Sequence, residues 1–157
     1  MGGNALNFQT RRVESATEFR TLVVEVLHTL TRELGWHAAP VRWYHTKESF
    51  GDMDILVDSD TIDSNWVDVV LEKFRPKDHF KNGPYLSFDY KDVQVDLILA
   101  PAKEFEFSYY YFAWNDLGNF VGRTAHRLGF KFGHDGLWYV LRDPKDYSRV
   151  IKEILVK

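Results

Sequence analysis

From Thr17 onward apolar residues recur at three- and four-residue steps. Phe19, Leu22, Val23, Val26, Leu27, Leu30 and Leu34 form one stripe, and Gly35 follows it. That spacing predicts an amphipathic helix closed by the glycine. Val41, Trp43 and His45 then alternate with Arg42 and Tyr44, which predicts a strand over 41–45. Residues 53–57 read as a buried strand, and Ile62, Trp66, Val69, Val70 and Phe74 mark a second helix stopped before Pro76. Asn82-Gly83-Pro84 is a turn. Strands over 85–90 and 93–99 predict a hairpin around Lys91-Asp92, closed by Pro101. The aromatic-dense stretch 105–114 is expected to be a buried connector between two subdomains. A helix is predicted from about 116 to 128, ended by Gly129, and then a short hairpin across Gly133-His134-Asp135-Gly136. Asp143 as N-cap and Pro144 at the first helical position open a last helix, with Tyr147, Val150, Ile151 and Ile154 as its stripe. This order predicts an α+β protein whose mixed sheet is covered by helices.

Composition narrows the class. The chain has 157 residues, of which 45% are hydrophobic and 27% charged, so a folded domain is expected rather than a disordered one. It contains no cysteine, which removes disulfides, thiolate catalysis and Cys-based zinc sites together. No apolar stretch approaches the roughly 18 residues of a membrane span, and the N-terminus lacks an apolar signal core. The expectation is therefore a cytoplasmic protein with no membrane partner. Net charge is −3, so no overall basic field points to nucleic acid. The charge is uneven, however. Glu48, Asp52, Asp54, Asp58, Asp60, Asp63 and Asp68 crowd one stretch, while Arg123, Arg127, Lys131, Arg142, Lys145, Arg149, Lys152 and Lys157 fall in the last third. An acidic cleft beside a basic segment suits a phosphate-rich substrate; two ordinary solvated surfaces give the same pattern.

The chemistry-bearing residues are carboxylates set in apolar runs. Asp52 and Asp54 flank Met53 in Gly51-Asp52-Met53-Asp54-Ile55-Leu56-Val57, and Asp96 lies within Val93-Gln94-Val95-Asp96-Leu97-Ile98-Leu99. Strands disfavour Asp, so each needs a reason. Side chains alternate along a strand, which points Asp52 and Asp54 to one face. If the second run pairs beside the first, Asp96 joins them. Divalent cations relieve such crowding most simply, and hard oxygen ligands together with substrate phosphates suit Mg²⁺. Two ions can clamp the attacking and leaving oxygens of a phosphoryl or nucleotidyl transfer. The bland alternative is that Asp52 merely begins a strand.

Lys47-Glu48-Ser49-Phe50-Gly51-Asp52-Met53-Asp54-Ile55-Leu56-Val57 resembles the metal-binding strand of the X-family (polymerase beta-like) DNA polymerases. Val95-Asp96-Leu97-Ile98 resembles the strand of their third catalytic Asp, and Tyr111-Phe112-Ala113-Trp114 is similar to their Y-F-T-G hinge. Asn115-Asp116-Leu117-Gly118-Asn119 and Arg123-Thr124-Ala125-His126-Arg127-Leu128-Gly129-Phe130 resemble the helix near the nascent base pair. The likeness runs from about 41 to 157, in the family's order. It implies a nucleotidyltransferase-fold palm with its N-terminal helix over 1–110 and a small α/β C-terminal subdomain over 111–157. It implies Asp52, Asp54 and Asp96 as catalytic metal ligands for two Mg²⁺ ions, with Mn²⁺ as a substitute. Gly51 would admit the triphosphate, Tyr111 and Phe112 would flank the sugar, and Asp116 and Asn119 would touch the incoming nucleotide. Arg123, Arg127 and Lys131 would face template or DNA. The bland reading of Tyr111 and Phe112 is core packing, and that of Arg123 and Arg127 is a basic helix face.

Three positions depart from the family. Val41-Arg42 stands where it has the Gly-Ser that grips triphosphate, His45 where it has a phosphate-binding arginine, and Ala113-Trp114 where it has Thr-Gly. Either Arg42, with Lys47 or His45, takes over that grip, or Arg42 merely faces solvent on an alternating strand. With only about 40 residues before the palm, no lyase domain is expected, and the chain resembles the shortest viral members. The expectation is a monomeric, Mg²⁺-dependent enzyme that attacks the α-phosphate of a nucleoside triphosphate with the 3′-hydroxyl of primed or gapped DNA. Transfer to RNA, a protein or a small molecule, or a non-catalytic module of the same fold, are the alternatives.

Overall fold

A computed structural model describes residues 5–44, 46–114, 116–142 and 150–156, with the backbone alone from Leu141 onward. Helix α1 (Ala16–His28) starts at Ser15, whose hydroxyl accepts the Glu18 N–H, and runs on through a π-helical turn at Thr29–Glu33 to Gly35 at φ +73°. Strand β1 (Ala38–Pro40) and strand β2 (Asp52–Asp58) follow. Helix α2 (Trp66–Phe74) ends at Arg75 in the left-handed conformation. Strands β3 (His79–Asn82), β4 (Tyr85–Tyr90) and β5 (Val93–Ala100) come next. The chain closes with α3 (Ala102–Phe112), α4 (Leu117–Arg127), β6 (Phe130–Gly133), β7 (Gly136–Arg142) and β8 (Val150–Val156).

The first five strands form one mixed sheet in the order β1-β2-β5-β4-β3, in which only β2 and β5 are parallel. The last three form an antiparallel sheet, β6-β7-β8. Together with four helices among the described residues, this is an α+β protein. The alternation of side chains divides the five-stranded sheet sharply. One face carries Met53, Ile55, Val57, Leu86, Phe88, Val93, Val95 and Leu97, which form a dry core with Phe19, Leu22, Val26 and Leu30 of α1 and Trp66 and Val70 of α2. On the other face, Leu56, Ile98 and Ala100 pack with Val41 against Phe105, Tyr109 and Phe112 of α3. Beyond these, the strands β2, β5 and β4 give that second face Asp52, Asp54, Gln94, Asp96, Ser87 and Asp89.

Three expectations are corrected. The strand near 41–45 lies earlier, at Ala38–Pro40. The Val41 N–H still reaches the Asp54 carbonyl at 3.0 Å, but the Arg42 carbonyl accepts the Trp114 N–H at 2.8 Å, so the chain leaves the ladder there. The aromatic stretch is helical as far as Phe112, where an irregular connector was expected. It reads as unpatterned because α3 is apolar on two sides. Phe105, Tyr109 and Phe112 face one sheet, while Phe107 and Tyr111 pack on Phe132 of β6. The last helix is a strand: Val150, Ile151, Ile154 and Val156 lie in β8, paired with β7. Their β-branched side chains suit a strand as well as a helical stripe, and pairing decides. The Asp143-Pro144 cap lies outside the described residues. Strand β3, an exposed edge, was not expected. The boundary expected at 110/111 falls inside α3.

Candidate functional site

Parallel register sets the site. Asp54 pairs with Asp96, and Asp52 pairs with Gln94. Asp52 and Asp54 are two residues apart on β2, as Gln94 and Asp96 are on β5, so all four lie on the polar face. Strand β4 adds Ser87 opposite Asp96 and Asp89 opposite Gln94. Asp89 serves the fold, because its carboxylate accepts the N–H groups of Lys77 and Asp78 at 2.7 and 3.0 Å.

The carboxylates sense one another. Asp54 has its pKa pushed up to about 7, first by burial, then by the charges of Asp52 and Asp96, against a pull downward from Lys47. Burial also raises the Asp96 pKa, while hydrogen bonds from Ser87 and Gln94 hold it back. Gln94 Nε2 donates to both Asp96 oxygens, at 3.0 and 2.9 Å. Among the described residues no three His, Cys, Asp or Glu side chains already stand in metal-ligand geometry. The donor set nevertheless fits a hard divalent cation: it is all carboxylate, it crowds like charge, and burial together with that crowding lifts the pKa of one member to about 7.

Asp52 and Asp54 line a cavity of about 30 Å³ together with Arg42, Lys47, Trp43, Phe50, Phe19 and Phe112. Gly51, just before β2, is buried and does not line the cavity. Lys47 Nζ sits over the Phe50 ring, 5.8 Å from its centroid. Arg42 is exposed and engaged elsewhere: its Nε donates to Tyr109 Oη at 3.2 Å, and its guanidinium stands 5.7 and 5.9 Å from the Tyr109 and Tyr110 ring centroids. His45 and Asn115 lie outside the described residues.

A second cavity, about 460 Å³, opens between α4 and β6. Tyr111, Asn119, Arg123, His126, Lys131 and Phe132 line it. The sequence-predicted residues thus divide in two. Arg42, Lys47 and Phe112 join Asp52 and Asp54 in the small cavity, beside Asp96, while Tyr111, Asn119, Arg123 and Lys131 share the large one. Asp116, at the N-cap of α4, and Arg127, in its last turn, are exposed and line neither. Lys131 also pairs with Asp135 at 3.6 Å.

Sequence reading missed Gln94 and Ser87. The signal for Gln94 was present: it shares parity with Asp96 in an otherwise apolar strand, so it had to occupy the same face. No helix among the described residues is long and apolar enough to cross a membrane. Compared with known families and with curated proteins, the chain matches no family model and no curated sequence.

Proposed function

We propose that the chain is a divalent-cation-dependent nucleotidyltransferase of the polymerase beta-like fold, joining nucleotides to a nucleic-acid 3′-hydroxyl in the manner of the X-family polymerases its sequence resembles. One observation carries this reading: β2 and β5 run parallel in the register that pairs Asp54 with Asp96 and leaves Asp52 on the same face. Asp52, Asp54 and Asp96 would hold Mg²⁺ or Mn²⁺, which when bound lowers the pKa of the attacking hydroxyl and offsets phosphate charge. The chain's own residues supply the rest. Lys47 and Arg42 line the cavity of Asp52 and Asp54, where an incoming triphosphate needs cationic donors. Phe112 closes the apolar side of that cavity and suits a sugar. Asn119, Arg123 and Lys131 give the larger cavity donors for phosphates and base edges.

One observation favours the non-catalytic module instead. A volume of about 30 Å³ holds a water or two, not a nucleotide. Catalysis then requires Phe112 or the 41–47 segment to move. Incubating the protein with Mg²⁺, labelled gapped primer-template and each nucleotide in turn separates the two readings. The expected result is primer extension that Asp54→Asn and Asp96→Asn each abolish, with the circular dichroism spectrum unchanged. No extension together with no triphosphate binding gives the module. Transfer to RNA, a protein or a small molecule changes the acceptor and keeps the chemistry.

A further inference from the structure

Gln94 is 3% exposed, and every hydrogen-bonding end of its amide is occupied. Its Nε2 contacts both oxygens of Asp96, and its Oε1 accepts the backbone N–H of Ala5 at 2.9 Å across 89 residues of sequence. The amide has one workable orientation, because an ionised carboxylate offers only acceptors and a backbone N–H only a donor. The N-terminal segment that supplies this N–H is itself tied down. Leu6 is buried, Asn7 N–H donates to Asp78 at 2.7 Å, and Arg11 N–H donates to the Asp92 carbonyl at 2.8 Å. Val13 and Phe50 then exchange two backbone hydrogen bonds, at 2.9 and 2.8 Å, just before Gly51.

We propose that Gln94 is a positioning residue for Asp96, and that the N-terminal segment sets Gln94 through the Ala5 N–H. Nε2 takes one lone pair from each Asp96 oxygen and the Ser87 hydroxyl takes a third, which leaves one turned free for a cation. The amide thereby fixes the carboxylate plane before any cation arrives, so less freedom is lost on binding. The role assigned to Asp96 rests on the nucleotidyl-transfer reading, whereas the hold on its carboxylate rests on the contacts themselves. Hydrogen-bonded support of a ligating carboxylate is worth about 10- to 100-fold in metal affinity.

Mn²⁺ binding to the full chain, followed by electron paramagnetic resonance alongside thermal melts, tests the proposal. Gln94→Leu removes both ends of the relay. Ala5→Pro removes only the N–H and leaves the contact between Gln94 and Asp96 in place. Gln94→Leu is expected to weaken Mn²⁺ binding by about 10- to 100-fold while still melting cooperatively, and Ala5→Pro to weaken it by less. Unchanged or tighter binding by folded Gln94→Leu overturns the role of Gln94. Unchanged binding by Ala5→Pro overturns the role of the N-terminal segment. If Gln94→Leu does not fold, Ala5→Pro still decides the role of the N-terminal segment, and the Gln94 amide resonances in Asp96→Asn decide that of Gln94. If the wild type binds no Mn²⁺, the transfer reading is what fails, and the hold is then read in metal-free protein by NMR. The Gln94 side-chain amide resonances are expected to shift in both Asp96→Asn and Ala5→Pro, and unmoved resonances overturn the proposal.

Discussion

Asp54 titrates near neutrality because burial, then Asp52, then Asp96 oppose its charge, and Lys47 offsets only part of this. In an unfolded chain an Asp titrates near 3.9. Between that value and about 7 the folded state keeps a proton that the unfolded state has lost, so stability falls as pH rises. The contribution of this group is fully present below about pH 4 and is lost as the pH passes through the folded pKa. In chelator-treated protein, Asp54→Asn removes that loss. Its gain in stability over wild type is expected to grow as the pH rises from about 4 to about 7 and to level off above. Urea melts at stepped pH measure it, and a gain that shrank with rising pH would contradict the assignment. A cation bound at the site favours the ionised form, so Mg²⁺ should raise the wild-type melting temperature and leave that of Asp54→Asn nearly unmoved.

The junction of α3 with α4 shows what an element needs from one residue. A Cβ at Gly118 would stand 2.3 Å from the Tyr111 carbonyl oxygen, a backbone atom with no room to retreat. Gly118→Ala is therefore expected to destabilise by about 1–3 kcal/mol through overpacking. Gly122, one turn on, provides the control, since a Cβ there meets the Phe132 carbonyl at an ordinary 3.5 Å. Gly122→Ala should be neutral or should stabilise by up to about 1 kcal/mol, because Ala is the better helix former. Guanidinium unfolding of both variants checks the pair; equal effects would mean that the close approach is absent. At this scale the sequence was legible wherever an element shows a clean period, an unbroken apolar run or a turn signal. The stripe of α1, the strands β2, β4 and β5, the Lys91-Asp92 turn and the β6-β7 hairpin all follow from period and turn chemistry. It failed where packing came from two sides or from far away. Aromatics on both flanks of α3 hid its period, the Trp114 N–H drew Arg42 out of the β1 ladder, and β8 took its form from β7. The three aspartates were legible because a carboxylate in an apolar strand is costly. Gln94 was passed over because a neutral amide carries no such alarm.

Across the whole molecule, charge is arranged against its own average. The chain carries −3 overall, yet from Leu117 to Lys131 it has Arg123, His126, Arg127 and Lys131 and no acidic residue. Arg123, His126 and Lys131 line the cavity between α4 and β6, while Asp52 and Asp54 line the small one beside β2. A polyanion is therefore drawn to one part of the protein and repelled by another until cations fill the carboxylates. Gapped DNA is expected to bind with an affinity that falls steeply with salt, since each phosphate neutralised releases condensed counterions. Removing one phosphate-contacting residue should lower the slope of log K against log salt by about 1. Arg123→Ala is expected to do so. Lys131→Ala should do so less, because Asp135 at 3.6 Å already holds part of that charge. Asp52→Asn should act in the opposite sense, strengthening metal-free DNA binding by removing a repelling charge. Fluorescence anisotropy across a salt series, with and without Mg²⁺, measures all three. Binding that ignores salt, or slopes that Arg123→Ala leaves unchanged, would take DNA away as the acceptor and leave the carboxylates to serve a protein or a small molecule.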